Sequence, residues 1–164
     1  MNESSAVEIL LVEDEPDDLE LAPRALRKAN LAHHIQVAVD GAEALDFIFC
    51  VGAHAARRII DVPKVGLLDL KLPKIDGVAV LKRIKGDPRT AAIQVVVLTS
   101  SKEQSELVES YHLGANSYIV KPVDFERFTE AVRQLGIYLL AAARSAAIVT
   151  PDEFLFGWRW GIVW

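Results

Sequence analysis

The chain has 164 residues, a formal net charge of −5 and a hydrophobic share of 51%, which supplies one ordinary core and is too short for two comfortable domains. With 18 basic against 23 acidic residues, it has no positive excess to displace counterions from a phosphate backbone, so nucleic-acid binding is not expected. A single cysteine, Cys50, excludes an intrachain disulfide framework and a Cys-rich zinc site and fits a reducing, cytoplasmic setting. No basic leader precedes the first apolar run, and no run of 18 apolar residues is present, so neither a signal peptide nor a membrane span is expected.

Residues 7–12 read as a first strand, nearly continuous in apolar side chains as a parallel strand covered on both faces must be. A helix follows from Pro16, with Asp17, Asp18 and Glu20 at its positive end and Leu19, Leu21, Ala22, Ala25, Leu26 and Ala29 as its buried face. Residues 35–39 form a second strand closed by Asp40-Gly41, and 42–50 a second helix packing Ala44, Leu45, Ile48 and Phe49 inward. Residues 51–63 are expected to be an extended connection. A third strand over 65–68 ends at Asp69, and a third helix over 76–86 stops at Gly86-Asp87-Pro88. The fourth strand, 93–98, is the most β-branched, and a fourth helix over 102–113 ends at Gly114, a C′ glycine. Residues 117–120 give a fifth strand, and a fifth helix begins near Asp124. Five such units predict an α/β fold, a doubly wound five-stranded parallel sheet with helices on both faces.

Sheets of this kind bind ligands beyond the carboxyl ends of their strands. Glu13 and Asp14 follow strand one there, Asp69 strand three, Thr99 and Ser100 strand four, and Lys121-Pro122 strand five. Three carboxylates on one rim repel each other and need a counter-charge, either a divalent metal or the Lys121 ammonium. Oxygen donors favour a hard ion, and Mg2+ takes a few carboxylate oxygens, a carbonyl and several waters. One acid at a strand end is ordinary loop polarity. Three acids, a hydroxyl and a lysine on one rim make a site.

The acidic pair in LLVEDE, the LLDLKLP-x-x-DG segment, the LTSS strand end and SYIVKP, with separations of 30 residues from Asp69 to Thr99 and 22 from Thr99 to Lys121, resemble the receiver domains of two-component response regulators. The resemblance covers roughly residues 6–135. It implies that Asp69 is the phosphoacceptor, attacking a phosphoryl group carried by a sensor histidine kinase or a small donor. It implies that Glu13, Asp14, Asp69 and the backbone carbonyl of Lys71 hold Mg2+. Lys121 would contact the phosphoryl group, aided by a cis peptide before Pro122. Thr99 would be the switch hydroxyl, Tyr118 the aromatic that follows it inward, and Ser100 the small neighbour that leaves room for a donor or water. The result is a switched protein surface, or onward transfer in a phosphorelay, with catalysis limited to the domain's own phosphorylation and dephosphorylation. Two positions are less typical: the metal pair is Glu-Asp, and Lys71 stands two residues past the phosphoacceptor.

Two other classes of function use a similar sheet. An aspartate-nucleophile phosphatase wants a second aspartate two residues after the nucleophile, where this chain has Lys71. A flavin carrier needs a Ser/Thr/Gly-rich phosphate loop after strand one, where this chain has Glu13-Asp14-Glu15. His33, His34, His54 and His112 lie away from the rim without metal spacing, Arg57-Arg58 is too short for a nucleic-acid patch, and Cys50 reads as a small core residue.

Past Val132 and Leu135 the fifth helix loses its polar face in the run from Gly136 through Ile137, Tyr138, Leu139 and Leu140 to Ala143. A helix apolar all round is buried on all sides, and one domain cannot cover both faces of its outermost helix. A homodimer through helix four, strand five and helix five is therefore expected. The receiver domain is assigned to 1–143. The remaining 144–164 is an apolar extension with all three tryptophans, read as a packed extension, a docking peptide or foreign sequence, with packing on a dimer or neighbouring chain favoured. The LVEDEPDD opening, the long link before strand three and the LGIY segment further resemble single-domain regulators that serve bacterial phytochromes, which implies a light-sensing kinase as donor.

Overall fold

The computed structural model describes residues 9–30, 34–100, 104–121 and 124–144, with the side chains of 100, 104 and 135–144 outside that description. Strands β1 (Ile9–Val12), β2 (Ile35–Ala38), β3 (Val65–Asp69), β4 (Gln94–Ser100) and β5 (Ser117–Lys121) alternate with helices α1 (Pro16–Lys28), α2 (Gly41–Ile48), α3 (Gly77–Gly86), α4 (Gln104–His112) and α5 (Phe125–Arg144). The strands form one parallel sheet in the order β2-β1-β3-β4-β5. The chain winds outward from β1 to β2, then returns past β1 to β3. The switch point between β1 and β3 is where such folds open a crevice, and these two strands end at Glu13 and Asp69.

The continuous apolar runs resolve into an alternation, because successive side chains on a strand point to opposite faces. Ile9, Leu11, Val65, Leu67, Val96, Leu98 and Ile119 join Ala22, Ala25 and Leu26 of α1 and Phe128, Ala131 and Val132 of α5 in one core. Leu10, Val12, Leu68, Val95 and Val97 join Ala44, Phe47 and Ile48 of α2 and Val80, Leu81 and Ile84 of α3 in the other. Each fully buried Val, Leu or Ile contributes about 1.5–3 kcal/mol, and these two layers hold the strand ends rigid. Among the described residues, no helix is long and apolar enough to cross a membrane.

Two Asp-Gly pairs start helices by the same device. The carboxylates of Asp40 and Asp76 accept the N–H of Glu43 at 2.7 Å and of Ala79 at 2.8 Å, capping α2 and α3. The glycines that follow sit against backbone. A Cβ on Gly41 would lie 1.9 Å from the Ile75 carbonyl oxygen, and one on Gly77 2.1 Å from that of Asp69. The β3–α3 loop is thus clamped between two helix starts, and Lys74, at φ +65°, adds a 2.8 Å ion pair to Asp40.

The 51–63 link is not extended as expected. It forms a 3-10 turn over Gly52–His54 and further turns folded against α2. The reason is Arg57, whose guanidinium lies 3.6 Å from the Phe47 ring centroid and donates to the Phe47 carbonyl and, at 2.7 Å, to that of Asp61. Helix ends leave carbonyls without helical partners, and this side chain takes one. Cys50 is accordingly not a core residue. Helix α2 stops at Ile48, Cys50 turns to φ +56° beyond it, and its half-buried thiol lies 3.7 Å from Arg57. His54 packs edge-on against Phe47 at 5.1 Å.

Helix α5 runs unbroken to Arg144, so Ile137, Tyr138, Leu139 and Leu140 are helical. Their side chains fall outside the described part of the molecule, as do Ser101, Pro122 and the 145–164 extension.

Candidate functional site

Three strand ends and one helix start build the rim. Glu13 follows β1 and is fully buried, its Oε1 accepting the backbone N–H of Asp14 at 3.0 Å and of Glu15 at 3.1 Å. Asp14 is exposed, and Asp69 closes β3 with only its edge open to solvent. One carboxylate oxygen from each of Glu13, Asp14 and Asp69 lies within 4.8 Å of the other two. An all-oxygen, three-carboxylate set this tight fits a hard divalent cation.

Lys121, ending β5, reaches into the same space. Its Nζ donates to Glu13 Oε2, to Asp69 Oδ2 at 2.9 Å and to Asp18 Oδ2 at 2.8 Å. The other Asp69 oxygen accepts the backbone N–H of Lys71 at 2.9 Å, which fixes the carboxylate plane. Lys71 itself is exposed. Burial pushes the Glu13 carboxyl up to about 7, against the pull of the Lys121 hydrogen bond and the Glu15 N–H. Burial also opposes the Lys121 charge, yet hydrogen bonds to Asp18, Glu13 and Asp69 outweigh it and hold the ammonium above the ordinary lysine range.

The sequence reading places Asp18 only at the positive end of the first helix and misses its part in the rim. The signal was present: Asp18, Ala22, Ala25 and Leu26 fall at i, i+4, i+7 and i+8, one stripe of a helix. The last three are buried, so the stripe carries Asp18 to the sheet rim while its neighbour Asp17 stays exposed.

Thr99 and Tyr118 stand on the adjoining strands. Thr99 is 2% exposed and in register with Val120. Ser100 is in register with Lys121. The half-buried Tyr118 packs against the α2/α3 core, its ring 5.9 Å from that of Tyr111 on α4 in an edge-on pair. Burial, then Tyr118, pushes the Tyr111 hydroxyl up to about 12. An aromatic pair therefore couples β5 to α4. A groove of about 680 Å³ opens between the β3–α3 loop, α3 and α4, lined by Lys71, Lys82, Glu106 and Glu109 among others.

Comparison with known proteins places this geometry. The model of the response regulator receiver domain matches residues 9–133. Probable methanogenesis regulatory protein FilR2 of Methanothrix harundinacea is 39% identical over 137 residues, covering 84% of this chain and 86% of that protein. Response regulator Rcp1 of Synechocystis is 38% identical over 132 residues, covering 80% and 88%. The structure of the bacteriophytochrome response regulator AtBRR superposes with a TM-score of 0.65 at 46% identity, over 87% of this chain and 96% of that one. The crystal structure of the Mn2+-bound form of response regulator Rcp1 gives a TM-score of 0.71 at 32% identity, over 87% and 98%. By its matched sequence, its strand order and its rim of acids and lysine, the chain belongs to the response regulator receiver family.

Proposed function

We propose that Asp69 is the phosphoacceptor of this receiver and that Glu13, Asp14, Asp69 and the Lys71 carbonyl hold Mg2+. Receiver domains take a phosphoryl group on an aspartate, bind a divalent metal and partner histidine kinases. The observation that carries the assignment is the Asp69 carboxylate itself, held by the Lys71 N–H on one oxygen and the Lys121 ammonium on the other, beside Glu13 and Asp14. An Asp69 oxygen attacks phosphorus. The bond from phosphorus to the donor atom breaks, and the leaving group departs with that electron pair and takes up a proton. The metal, when bound, supplies positive charge to the transferring phosphoryl oxygens. Lys121 supplies a further charge at the rim, and Thr99, Ser100 and Tyr118 read out the product as a changed surface around α4, β5 and α5.

The donor is a sensor histidine kinase of the bacteriophytochrome class, a reading supported by the likeness to AtBRR and Rcp1. The protein acts in the cytoplasm, as its lone cysteine suggests, and its output is protein contact or onward phosphotransfer rather than binding to nucleic acid. It pairs with a second copy through α4, β5 and α5, covering Ile137, Tyr138, Leu139 and Leu140. A single monomer mass by light scattering at micromolar concentration would refute that pairing. The cis peptide before Pro122 belongs to the same reading. Incubation with Mg2+ and acetyl phosphate is expected to label the wild type and not Asp69→Asn, and equal labelling of both overturns the assignment.

A further inference from the structure

We infer that Asp18, which lies outside the proposed metal and phosphoacceptor set, is a positioning residue that holds Lys121 in place for phosphoryl transfer. The inference rests on the reading of Asp69 as phosphoacceptor. An ammonium has three N–H donors, and Lys121 directs them at Glu13, Asp18 and Asp69. Two of those acceptors have a second duty, since Glu13 and Asp69 belong with Asp14 to the oxygen trio drawn within 4.8 Å, and Asp18 does not.

Once phosphorus bonds to an Asp69 oxygen, that carboxylate becomes an uncharged acyl group, and Glu13 is shared with the cation. Asp18 is then the lysine acceptor that neither the phosphoryl group nor the cation claims. Its own position is fixed, because the stripe that continues from it, Ala22, Ala25 and Leu26, is buried against β1 and α5. A lysine is a point charge on a flexible four-carbon stem. A carboxylate anchored on α1, 2.8 Å from its tip, decides where on the rim that charge sits.

The test measures labelling of the full chain by acetyl phosphate across Mg2+ concentrations, with urea midpoints confirming that each variant folds. Asp18→Ala is expected to slow labelling about tenfold, the order lost when a reacting charge is misplaced, while the Mg2+ concentration for half-maximal labelling moves less than about threefold. Asp18→Asn keeps an acceptor oxygen and returns the rate to within about threefold of wild type. In a Lys121→Met background, Asp18→Ala adds no further loss, as required of a residue that acts through that lysine. Equal slowing in both backgrounds, an unchanged rate for Asp18→Ala, or an Mg2+ requirement raised about tenfold or more each overturns the inference alone. If Asp69→Asn labels as well as wild type, the phosphoacceptor reading falls and takes this inference with it.

Discussion

Replacing Gly77 with alanine adds one methyl group and sets it against the backbone of Asp69. The new Cβ would lie 2.1 Å from the Asp69 carbonyl oxygen, 2.6 Å from the Leu70 Cα and 2.9 Å from the Asp69 carbonyl carbon. Ordinary contact begins at about 3.4 Å, so the shortfall is about 1.3 Å, and none of the three atoms belongs to a side chain that can swing away. Either the start of α3 lifts off, straining the 2.8 Å bond from the Gly77 N–H to the Leu70 carbonyl, or the end of β3 moves and takes the Asp69 carboxylate with it. Overpacking of this kind costs about 1–3 kcal/mol. Misplacement of a reacting group by about 1 Å costs about a hundredfold in rate. Gly86, at the other end of the same helix, is the internal control. A Cβ there meets nothing within 4 Å and its φ is not in the left-handed region, so Gly86→Ala should stabilise by about 0.4–1 kcal/mol through the unfolded chain. Urea unfolding and acetyl phosphate labelling of both variants give the comparison. Opposite signs in stability, with labelling lost only in Gly77→Ala, are expected. A Gly77→Ala protein as stable and as rapidly labelled as wild type refutes the steric argument.

Asp40→Ala removes the α2 cap and the Lys74 partner and should cost about 1–2 kcal/mol at neutral pH, read from urea midpoints. The Lys74 hydrogen bond, then the Glu43 N–H, hold the Asp40 carboxyl below the usual carboxylate range. Its stabilisation is therefore complete above the unfolded-state value near 3.9 and is lost as pH falls through the lower folded value. The gap between wild type and variant should close in acid, and a gap that widens there contradicts the assignment. Lys85→Met takes a half-buried ammonium away from the carbonyls of Ala91 at 3.0 Å and Ile93 at 2.6 Å and from Asn116 Oδ1 at 3.1 Å. Hydrogen bonds from a charged donor make this worth about 1.5–3 kcal/mol, and a thermal midpoint equal to wild type would show the brace to be idle.

The elements legible in the sequence are those whose cause is local. A strand covered on both faces must be apolar at nearly every position, so β1, β3 and β4 announced themselves, and a rim of acids at strand ends follows from the order of the units. The remainder depends on contacts that spacing does not encode. Arg57 folds the 51–63 link because it meets a carbonyl ten residues back, and Lys85 braces residues 6, 8 and 31 positions away. The Asp-Gly pair at 76–77 was visible as a motif, whereas its reason, the approach of α3 to the Asp69 backbone, appears only in three dimensions. Asp18 failed differently, hidden inside the acidic run 13–18, where composition outweighed the helical stripe that should have set it apart.

The same run bears on why the proposed site would need a cation. Lys121 pairs with Glu13, Asp18 and Asp69, and Asp14 joins Glu13 and Asp69 in the oxygen trio, so among the described residues these four carboxylates and one ammonium leave a formal excess of three negative charges when all are ionised. Burial already makes the Glu13 charge costly, since its carboxyl sits at about 7. A phosphoryl donor brings further negative charge to this place, and at short range in a partly buried site that repulsion is weakly screened. A divalent cation leaves an excess of one, a field that a phosphoryl group can approach with Lys121 beside it. On the proposed reading, a metal requirement would come from the number of acids as much as from the chemistry of phosphorus. Asp18 stands outside the oxygen trio that would hold the cation, and its contact is with the Lys121 ammonium, so its part is to steady that charge rather than to set the affinity for the metal.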